Sequence, residues 1–292
     1  MTSTTTHPGT TVMQDQPILI VGVNGKTGRR VQSRLEAVGI PTRGVSRSTP
    51  IPFDWTQPDN WAAALEGTRA AYLTYHPDLS LARAEDDIRH FCEFAEAAGL
   101  EHIVLLSGRG EQGADRAERV LRESATDWNI VQGSWFAQNF SENFLLDGVL
   151  AGEVVLPICD ACEPFIDIDD IADVAVATLL EPGLHNRLFE LTGPRSMTFA
   201  QCVEAIAAET DYPVRLTEVP LDAYIEALKS EDVPDYLPEL LHELFSALFD
   251  GRNARVTTGV QEALGRPATD FRDYVRKAAN SGVWNRLDER VA

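Results

Sequence analysis

A short apolar run followed by closely spaced glycines constrains the fold of this chain more than any other feature. Ile18–Val21 is apolar at every position, which is typical of a strand buried on both faces of a sheet. Glycines follow at three-residue intervals, at Gly22, Gly25 and Gly28. Apolar residues then recur at helical spacing, at Val31, Leu35 and Val38, and Gly39 stands where a helix would end. The sequence therefore predicts a strand, a tight glycine turn and a helix.

The turn could belong to either of two nucleotide-binding motifs. Residues 25–27, Gly-Lys-Thr, resemble the end of the phosphate loop G-x-x-x-x-G-K-[S/T], but five residues before Gly25 stands Ile20, inside the apolar run. The three glycines instead fit a turn that lets a pyrophosphate approach the amides of a helix N-terminus. We expect them to hold a dinucleotide, together with Asn24, Lys26 and Thr27. A purely structural glycine turn is the alternative.

The charge distribution indicates which dinucleotide is preferred. The chain has a formal net charge of −20, which argues against nucleic acid and anionic membranes as partners. Segment 26–47 nevertheless carries six basic residues and one acidic residue. NAD-preferring domains have a carboxylate near the end of the second strand, where this chain has Arg47 and Ser48. Arginine suits a 2′-phosphate, so we predict that these two residues favour NADP(H) over NAD(H).

The order of apolar and helical segments predicts the fold class. Short apolar runs alternate with helical stretches in the first half of the chain, which is typical of a parallel sheet covered on both faces. We predict an α/β protein with a Rossmann-type doubly wound parallel sheet and a smaller α+β substrate lobe. The predicted boundaries are a disordered tail at 1–16, an NAD(P)-binding domain at 17–150, and mainly the lobe at 151–292, with about 164–191 returning to the sheet.

Individual helices are also predicted. Helical segments are expected at 79–99 and 115–124, and an amphipathic acidic region is expected at 221–249. A further helix is expected to start near Ile171. Its expected capping residues are Asp167, Asp169 and Asp170.

Cysteine content and the N-terminus bear on the compartment. The chain has four cysteines, which favours a reducing environment over a disulfide scaffold. The polar, threonine-rich start lacks the apolar segment of a secretory signal. We therefore expect a cytoplasmic protein. Cys159 and Cys162 have C-x-x-C spacing in a predicted loop, but no second Cys or His pair lies near enough to complete a zinc site. No metal is predicted.

Several longer motifs carry a family resemblance. They are VGVNGKTGRRV at 21–31, FDWTQPDNW at 53–61, AYLTYHPDL at 71–79, VLLSGRGE at 104–111, GSWFAQNFSE at 133–142 and PFIDIDDIADVA at 164–175. Through them the chain resembles the NmrA-like branch of atypical short-chain dehydrogenases, and more narrowly the bacterial relatives of ergot-alkaloid clavine dehydrogenases. The resemblance implies an NAD(P)-binding Rossmann domain and a small-molecule ligand. It does not fix one activity, because the branch includes both reductases and redox sensors.

The usual proton donor of short-chain dehydrogenases is missing from the sequence. No tyrosine is followed by lysine four residues later. Several relatives carry Lys or His four residues before a Glu, but here Glu118 is preceded by Ala114. Ser107 and His76 remain as candidate catalytic residues. A lone serine hydroxyl is too weak an acid for this work at neutral pH. Either the protein does not catalyse, or its substrate needs no strong acid.

A substrate pocket is expected over the ends of the fourth and fifth strands, with Tyr75 and His76 following the fourth. Cofactor contacts are also expected from Asp54, Thr74, Tyr75 and Ser107. The predicted substrate contacts are Tyr75, Trp135, Phe136, Gln138 and Asn139. For the aromatic residues, ordinary core packing is the alternative.

These expectations predict a function. We expect an NADP(H)-dependent reductase that transfers hydride to a small, planar, electron-poor substrate such as an iminium, quinone or enone. A non-catalytic, NmrA-like redox sensor is the alternative, and an isomerase or epimerase is a third reading. A small molecule is the expected partner, and homo-oligomer formation is left open.

Overall fold

A computed structural model describes residues 16–157, 160–230, 233–234, 236–247 and 249–285. The chain divides into two compact units. The first comprises the described residues up to Gln132 together with Ile171–Phe189. The second comprises Gly133–Asp170 and the described residues from Glu190 onward. The predicted tail at 1–16 lies outside the described residues except for Gln16.

The strands and helices alternate through the first half of the chain, as the apolar pattern predicts. The strands are β1 (Ile18–Val21), β2 (Thr42–Val45), β3 (Ala70–Leu73), β4 (His102–Gly108), β5 (Asp127–Gly133), β6 (Glu153–Leu156), β7 (Cys162–Glu163), β8 (Arg187–Leu191), β9 (Met197–Thr198) and β10 (Arg215–Glu218).

The α-helices are α1 (Gly28–Ala37), α2 (Trp61–Leu65), α3 (Ala84–Ala98), α4 (Gln112–Arg122), α5 (Asn139–Glu142), α6 (Leu146–Ala151), α7 (Ile168–Leu180), α8 (Phe199–Ala207), α9 (Leu221–Lys229), α10 (Tyr236–Ala247), α11 (Gly259–Leu264) and α12 (Phe271–Asn280). Two single-turn 3₁₀ helices lie at Pro58–Asn60 and Pro182–Leu184.

Six strands form one sheet in the order β2-β1-β3-β4-β5-β8. β1 pairs in parallel with both β2 and β3, and β3 pairs in parallel with β4. All four residues of β1 and of β3 are buried, so both faces of these strands are covered. One face packs on α2, α3 and α4, through residues such as Leu19, Leu73 and Phe91. The predicted doubly wound, Rossmann-type α/β fold is confirmed.

Several predicted helix boundaries were wrong by a few residues. α1 ends at Ala37, so Val38 is its C-cap and is 62% exposed instead of lying on the apolar face. α3 begins at Ala84, not near residue 79, and α4 spans Gln112–Arg122 rather than 115–124. Element ends are the least determined part of a periodic pattern, because the end caps and not the periodicity decide them.

α7 begins three residues earlier than predicted. It starts at Ile168 because the Asp167 carboxylate accepts a hydrogen bond from the Asp169 backbone N–H at 2.8 Å. Asp169 and Asp170 therefore lie in the first turn and do not cap it. Asp170 instead forms an ion pair with Arg266 at 2.7 Å and accepts from the Thr269 backbone N–H.

The second unit has its own core and two small sheets. β6 pairs in parallel with β10, and β7 pairs antiparallel with β9. Thr198 and Gln201 form a reciprocal capping box at the start of α8. In the predicted amphipathic region, Leu241 and Phe245 are buried in this core, whereas Leu248 lies outside the described residues. Cys162 lies in β7 and not in the predicted loop, and Cys159 is outside the described residues.

In the first unit, a buried asparagine connects three strands of the large sheet. The Asn129 amide nitrogen on β5 donates to the carbonyl oxygens of Leu184 and Arg187 at 2.8 and 2.9 Å, and Arg187 is the first residue of β8. Its amide oxygen lies 2.9 Å from His102 Nε2 on β4. Because an amide oxygen can only accept, His102 carries its ring proton on Nε2.

Burial and a second histidine keep His102 neutral. The His185 ring stacks on the His102 ring with their centroids 3.8 Å apart. Burial, and then the neighbouring His185, lower the pKa of His102 to about 4. His102 is 3% exposed, so the charged form has little access to water. The folded protein therefore takes up a proton at His102 at a lower pH than the unfolded chain does.

This histidine is expected to make the protein sensitive to acid. An unfolded histidine has a pKa of about 6.5. The contribution of the neutral, buried His102 to the free energy of unfolding is fully present above that pH and is lost as the pH falls toward 4. The full loss amounts to about 3 kcal/mol, of which about 2 kcal/mol falls between pH 7 and pH 4.5. Urea unfolding at pH 7 and pH 4.5 measures it in the wild type and in His102→Gln, which cannot titrate.

The matched control is His90→Gln, because His90 is exposed on α3. This variant should keep the wild-type dependence on pH, whereas His102→Gln should show a smaller difference between the two pH values. An unchanged difference in His102→Gln would mean that other groups cause the acid sensitivity.

Candidate functional site

A cavity of about 330 Å³ opens at the carboxyl ends of three neighbouring strands in the first unit. β1 lies between β2 and β3, so the chain leaves β1 toward one side of the sheet and later returns on the other. Ligands of open α/β sheets bind at such a switch point. The lining residues are Val21, Gly22, Asn24, Gly25, Ser46, Arg47, Phe53, Asp54, Trp55, Thr74, Tyr75 and His76.

The glycine turn at this cavity leaves no space for a side chain. Gly22 has φ +81°, and a Cβ atom there would overlap the hydroxyl of Thr74. That hydroxyl donates to the Val21 carbonyl at 3.0 Å, and the Gly22 N–H donates to the Val45 carbonyl at 3.0 Å. A Cβ on Gly28 would overlap the Gly22 carbonyl. The first turn of α1 therefore packs directly on backbone, and the loop exposes backbone at Asn24 and Gly25.

The turn after β2 forms the adjacent wall. The Asn24 side-chain nitrogen donates to Ser46 Oγ at 2.9 Å and to Ser48 Oγ at 3.2 Å, so it connects the glycine turn to the end of β2. Arg47 is exposed between these two serines. Within the described part of the chain, its guanidinium makes no hydrogen bond or ion pair. It is therefore available to an anionic ligand.

Other basic residues of segment 26–47 have structural partners. Arg34 Nε forms an ion pair with Asp173 at 2.6 Å, which connects α1 to α7. Arg43 Nη1 donates to the carbonyl oxygens of Ala64 and Glu66. Arg30 Nη1 donates to the Lys26 carbonyl at 2.9 Å. The local excess of positive charge thus has partly structural causes, and Arg47 differs from these three arginines.

An aromatic cluster after β2 forms the floor of the cavity. Phe53 stacks on Trp61 with ring centroids 5.6 Å apart. The Trp61 indole N–H donates to the Asp54 carbonyl at 2.8 Å, and the Trp55 indole N–H donates to the Thr74 carbonyl at 3.0 Å. Phe53 and Trp55 were missed as site residues by the sequence analysis. The only signal for them was the motif FDWTQPDNW, in which we had singled out Asp54.

Tyr75 follows β3, the third strand, and not the fourth as predicted. Its hydroxyl donates to Asp87 at 2.5 Å, and Arg83 Nε also contacts this carboxylate at 2.9 Å. Burial and then the Asp87 carboxylate raise the pKa of Tyr75. Its ring lies 4.9 Å from that of Trp55. Tyr75 can offer an aromatic surface to a ligand, but its proton is committed to Asp87.

His76 and Asp54 share the cavity with Arg47. Partial burial and the positive charge of Arg47 lower the pKa of His76, against the opposing effect of Asp54. Burial would raise the pKa of Asp54, but hydrogen bonds from Thr56 and the charges of Arg47 and Arg83 hold it below its ordinary value. At neutral pH the cavity therefore holds a neutral imidazole, a carboxylate and a guanidinium.

The remaining predicted cofactor residues lie outside the cavity lining. Thr27 and Gly28 are buried at the start of α1, and Lys26 is half-buried just before them. Ser48 contacts the lining residue Asn24. Ser107 is buried near the end of β4, where its hydroxyl donates to the Glu118 carboxylate at 2.6 Å. The sequence analysis named Glu118 only as the Glu of a family motif and predicted no role for it.

The other predicted substrate contacts belong to the second unit. Trp135 packs against Phe199, Phe245 and Phe249 at centroid distances of 5.2–6.0 Å, the arrangement expected for ordinary core packing. Half-buried Phe136 forms an isolated bridge with Ile166.

The two predicted amide contacts are buried in the second unit. Gln138 donates to Asp167 at 2.6 Å and accepts from the Ile168 backbone N–H at 3.0 Å, so both ends of its amide have partners. Asn139 is 8% exposed, and its side-chain oxygen lies 3.4 Å from the Asn143 amide. A substrate role for these residues stays a prediction.

Two further features concern only the described residues. They contain no group of three or more His, Cys, Asp or Glu side chains placed to hold a metal ion. No helix among them combines the length and apolar composition needed to cross a membrane.

Comparisons with known proteins identify relatives along nearly the whole chain. The sequence is 27% identical over 289 residues to the NAD(P)H azoreductase of Xenophilus azovorans, covering 90% of this chain and 98% of the azoreductase. It is also 27% identical over 291 residues to the agroclavine dehydrogenase of Claviceps fusiformis, covering 91% and 98% of the two chains. No family model matches the sequence.

Solved structures share the fold. The Citrobacter sp. triphenylmethane reductase complexed with NADP(H) superposes with a TM-score of 0.76 and 17% identity, covering 90% of this chain and 99% of the reductase. NmrA, a negative transcriptional regulator in complex with NAD, superposes with a TM-score of 0.69 and 14% identity, covering 92% and 96%. At this level of identity the likeness concerns the fold alone.

The glycine turn allows a direct test of its close packing. Gly22 and Gly39 both have positive φ, but a Cβ on Gly39 would meet open space. Gly39→Ala should lower the free energy of unfolding by about 1–2 kcal/mol, the cost of left-handed backbone. Gly22→Ala should cost about 1–3 kcal/mol more because of the overlap with Thr74. Urea unfolding measures both values.

Combining Gly22→Ala with Thr74→Ala should recover part of the additional loss, since the overlapping hydroxyl is then gone. Equal costs for Gly22→Ala and Gly39→Ala would show that the turn has space for a side chain.

Proposed function

Because this chain is a relative of the clavine dehydrogenases and of NmrA-like atypical short-chain dehydrogenases, we propose that it is an NADP(H)-dependent reductase. Its substrate class is a small, planar, electron-poor molecule such as a quinone, an iminium or an enone. The observation that carries the proposal is the cavity at the β1–β3 switch point. There Arg47, which makes no hydrogen bond or ion pair with the described residues, lies beside a turn in which a Cβ on Gly22 or Gly28 would overlap other atoms. The azoreductase and the triphenylmethane reductase support it as relatives in sequence and in fold.

The residues present suit a dinucleotide. Gly22, Gly25 and Gly28 would let a pyrophosphate approach the backbone at the start of α1. The guanidinium of Arg47 would contact a 2′-phosphate, with Ser48 beside it. When bound, the reduced nicotinamide supplies a hydride. The chain itself would bind and orient the dinucleotide and exclude water.

The substrate class follows from the weak acids in the cavity. The Tyr75 hydroxyl donates a hydrogen bond to Asp87, and the lowered pKa of His76 keeps the imidazole mostly neutral. No tyrosine of the chain is followed by lysine four residues later. An iminium needs no proton when it accepts hydride. A quinone needs one proton, and the negative charge that the hydride brings already lies on the oxygen that receives it. Electron-poor acceptors therefore suit this cavity better than simple ketones do.

Arg47→Ala tests the assigned cofactor preference. Loss of a charge-assisted contact to the 2′-phosphate should weaken NADPH binding by roughly 10- to 100-fold, the equivalent of about 1.5–3 kcal/mol. The affinity for NADH should stay close to that of the wild type. Fluorescence titration with both dinucleotides measures the two values.

The control is Arg89→Ala, which removes the same charge from the exposed surface of α3. It should change neither affinity appreciably. Equal losses of NADPH and NADH in Arg47→Ala would refute a contact to the 2′-phosphate.

Turnover tests the proposed function itself. The protein is saturated with NADPH and mixed with small quinones, cyclic iminium ions and enones, and cofactor oxidation is followed by absorbance against a blank without acceptor. Oxidation with any of these classes supports a reductase. Tight binding of NADPH without oxidation in the whole panel would contradict it and favour a dinucleotide sensor, the role compatible with the NmrA-like fold. Failure to bind either dinucleotide would contradict both.

A further inference from the structure

A buried carboxylate lies behind the end of β4, where the first unit otherwise contains mostly apolar side chains. The Glu118 side chain on α4 is 1% exposed. Its Oε1 atom lies 2.6 Å from Ser107 Oγ and 2.7 Å from Gln132 Nε2, and its Oε2 atom lies 2.8 Å from Arg122 Nη2. Three side chains thus hold one buried carboxyl group in a fixed orientation, with a serine hydroxyl at one oxygen.

The sheet register places this serine near the cavity. β3 and β4 are parallel, and Leu73 pairs with Leu105. Two residues further along each chain come Ser107, which is still in β4, and Tyr75, which is past the end of β3. Their hydroxyls contact Glu118 on α4 and Asp87 on α3, two helices that cover the same face of the sheet. Tyr75 lines the cavity. Ser107 therefore lies at the level of a cavity residue, with one side of its oxygen bound to Glu118.

We propose that Glu118 stores the proton consumed in the reaction and delivers it through Ser107 Oγ to the reduced substrate. This inference rests on the proposed reductase function and names the proton source that the sequence seemed to lack. Glu118 acts through Ser107 and is not itself in contact with substrate.

The electrostatic surroundings suit a stored proton. Burial raises the pKa of Glu118 and outweighs the opposing hydrogen bonds from Ser107 and Gln132 and the charge of Arg122. The negative charge of Asp115, on the same helix, raises it further. Ser107 on β4 and Gln132 on β5, which contact the carboxyl group, are neutral. A carboxyl with a raised pKa is the usual form of a proton donor near neutral pH.

In the reduction of a quinone, Ser107 Oγ would give a proton to the substrate oxygen, and a bound reduced nicotinamide would supply the hydride. When Glu118 is protonated, the hydrogen bond across this 2.6 Å contact runs from Oε1 to Ser107 Oγ, the reverse of its direction with the carboxylate, and Ser107 Oγ regains its proton along it. Glu118 becomes a carboxylate, which Gln132 and Arg122 then stabilise, and it takes a proton from water before the next turnover.

Two acceptor classes separate this role from a structural one. A cationic acceptor such as an iminium becomes neutral on receiving hydride and needs no proton. A quinone needs one. Glu118→Gln should therefore slow quinone reduction by about 100-fold or more, the usual contribution of a positioned acid, and leave the reduction of a cyclic iminium near the wild-type rate. Equal losses with both acceptors would mean that Glu118 only supports the structure.

A second variant tests the proton store through pH. Arg122→Gln removes the positive charge beside Oε2 and should raise the pKa of Glu118. The alkaline limb of the pH profile for quinone reduction should then move to higher pH. A purely structural contact would lower the rate without moving this limb, and that result would contradict the relay.

Infrared spectroscopy tests the same proposal without turnover. The full chain should show the C=O stretch of a protonated carboxyl group at neutral pH, and this band should disappear in Glu118→Gln. Glu123→Gln, the same change at the exposed neighbouring position, should keep both the band and the quinone rate. Absence of the band at neutral pH would overturn the proton store even if the reductase activity is established. If the wild type instead fails to oxidise NADPH with every acceptor of the panel, the proposed function is wrong, and the relay with it.

Discussion

The close approach of the Gly22 backbone to Thr74 determines how the candidate site is assembled. Thr74 lies one residue past the last pair of β1 and β3. Its hydroxyl donates to the Val21 carbonyl and occupies the space that a side chain at residue 22 would need. The carbonyl of Gly22 in turn is covered by Gly28 at the start of α1. The Thr74 carbonyl then receives the indole N–H of Trp55. One short backbone segment thus fixes the helix, the neighbouring strand and the cavity floor relative to each other within the first unit.

How much of this the sequence could predict depends on the range of the interactions involved. The strand, the glycine turn and the helix are local, and spacing alone predicted them. Arg47, which lines the cavity, could be singled out because its distance along the chain from the glycine turn is set by one helix and one strand. Its contact to a 2′-phosphate stays a prediction. The role of Trp55 depends instead on a hydrogen bond to Thr74, 19 residues away, and no periodicity encodes such a pairing. The start of α7 was misplaced for a different and local reason, because the Asp167 side chain, and not the apolar pattern, decides where the helix begins.

Aromatic residues show a different limit of sequence reasoning. The same side chains suit a core and the wall of a pocket for flat ligands, because both need large apolar surfaces. Trp135 packs among three phenylalanines of its own unit, so its composition alone could not distinguish the two roles. Gln138 is more informative. Its amide has a partner at each end, and recruiting it to a ligand would leave a buried group of Asp167 or Ile168 without its hydrogen bond, at a cost of about 1–3 kcal/mol.

The cavity separates binding from proton supply. Its titratable side chains at neutral pH are the Arg47 guanidinium, which suits an anion, the Asp54 carboxylate and a neutral His76. Such groups are poor acids at neutral pH, because Arg47 does not release its proton and His76 carries too little positive charge. An acid in the cavity would also have to coexist with the negative charge of a bound dinucleotide, which would raise its pKa and hold its proton. Glu118 avoids this conflict because it is buried behind β4 and reaches the site only through Ser107. In the proposed reductase, a proton source outside the anion-binding surface would therefore let one small cavity bind a phosphate and still protonate a neutral acceptor.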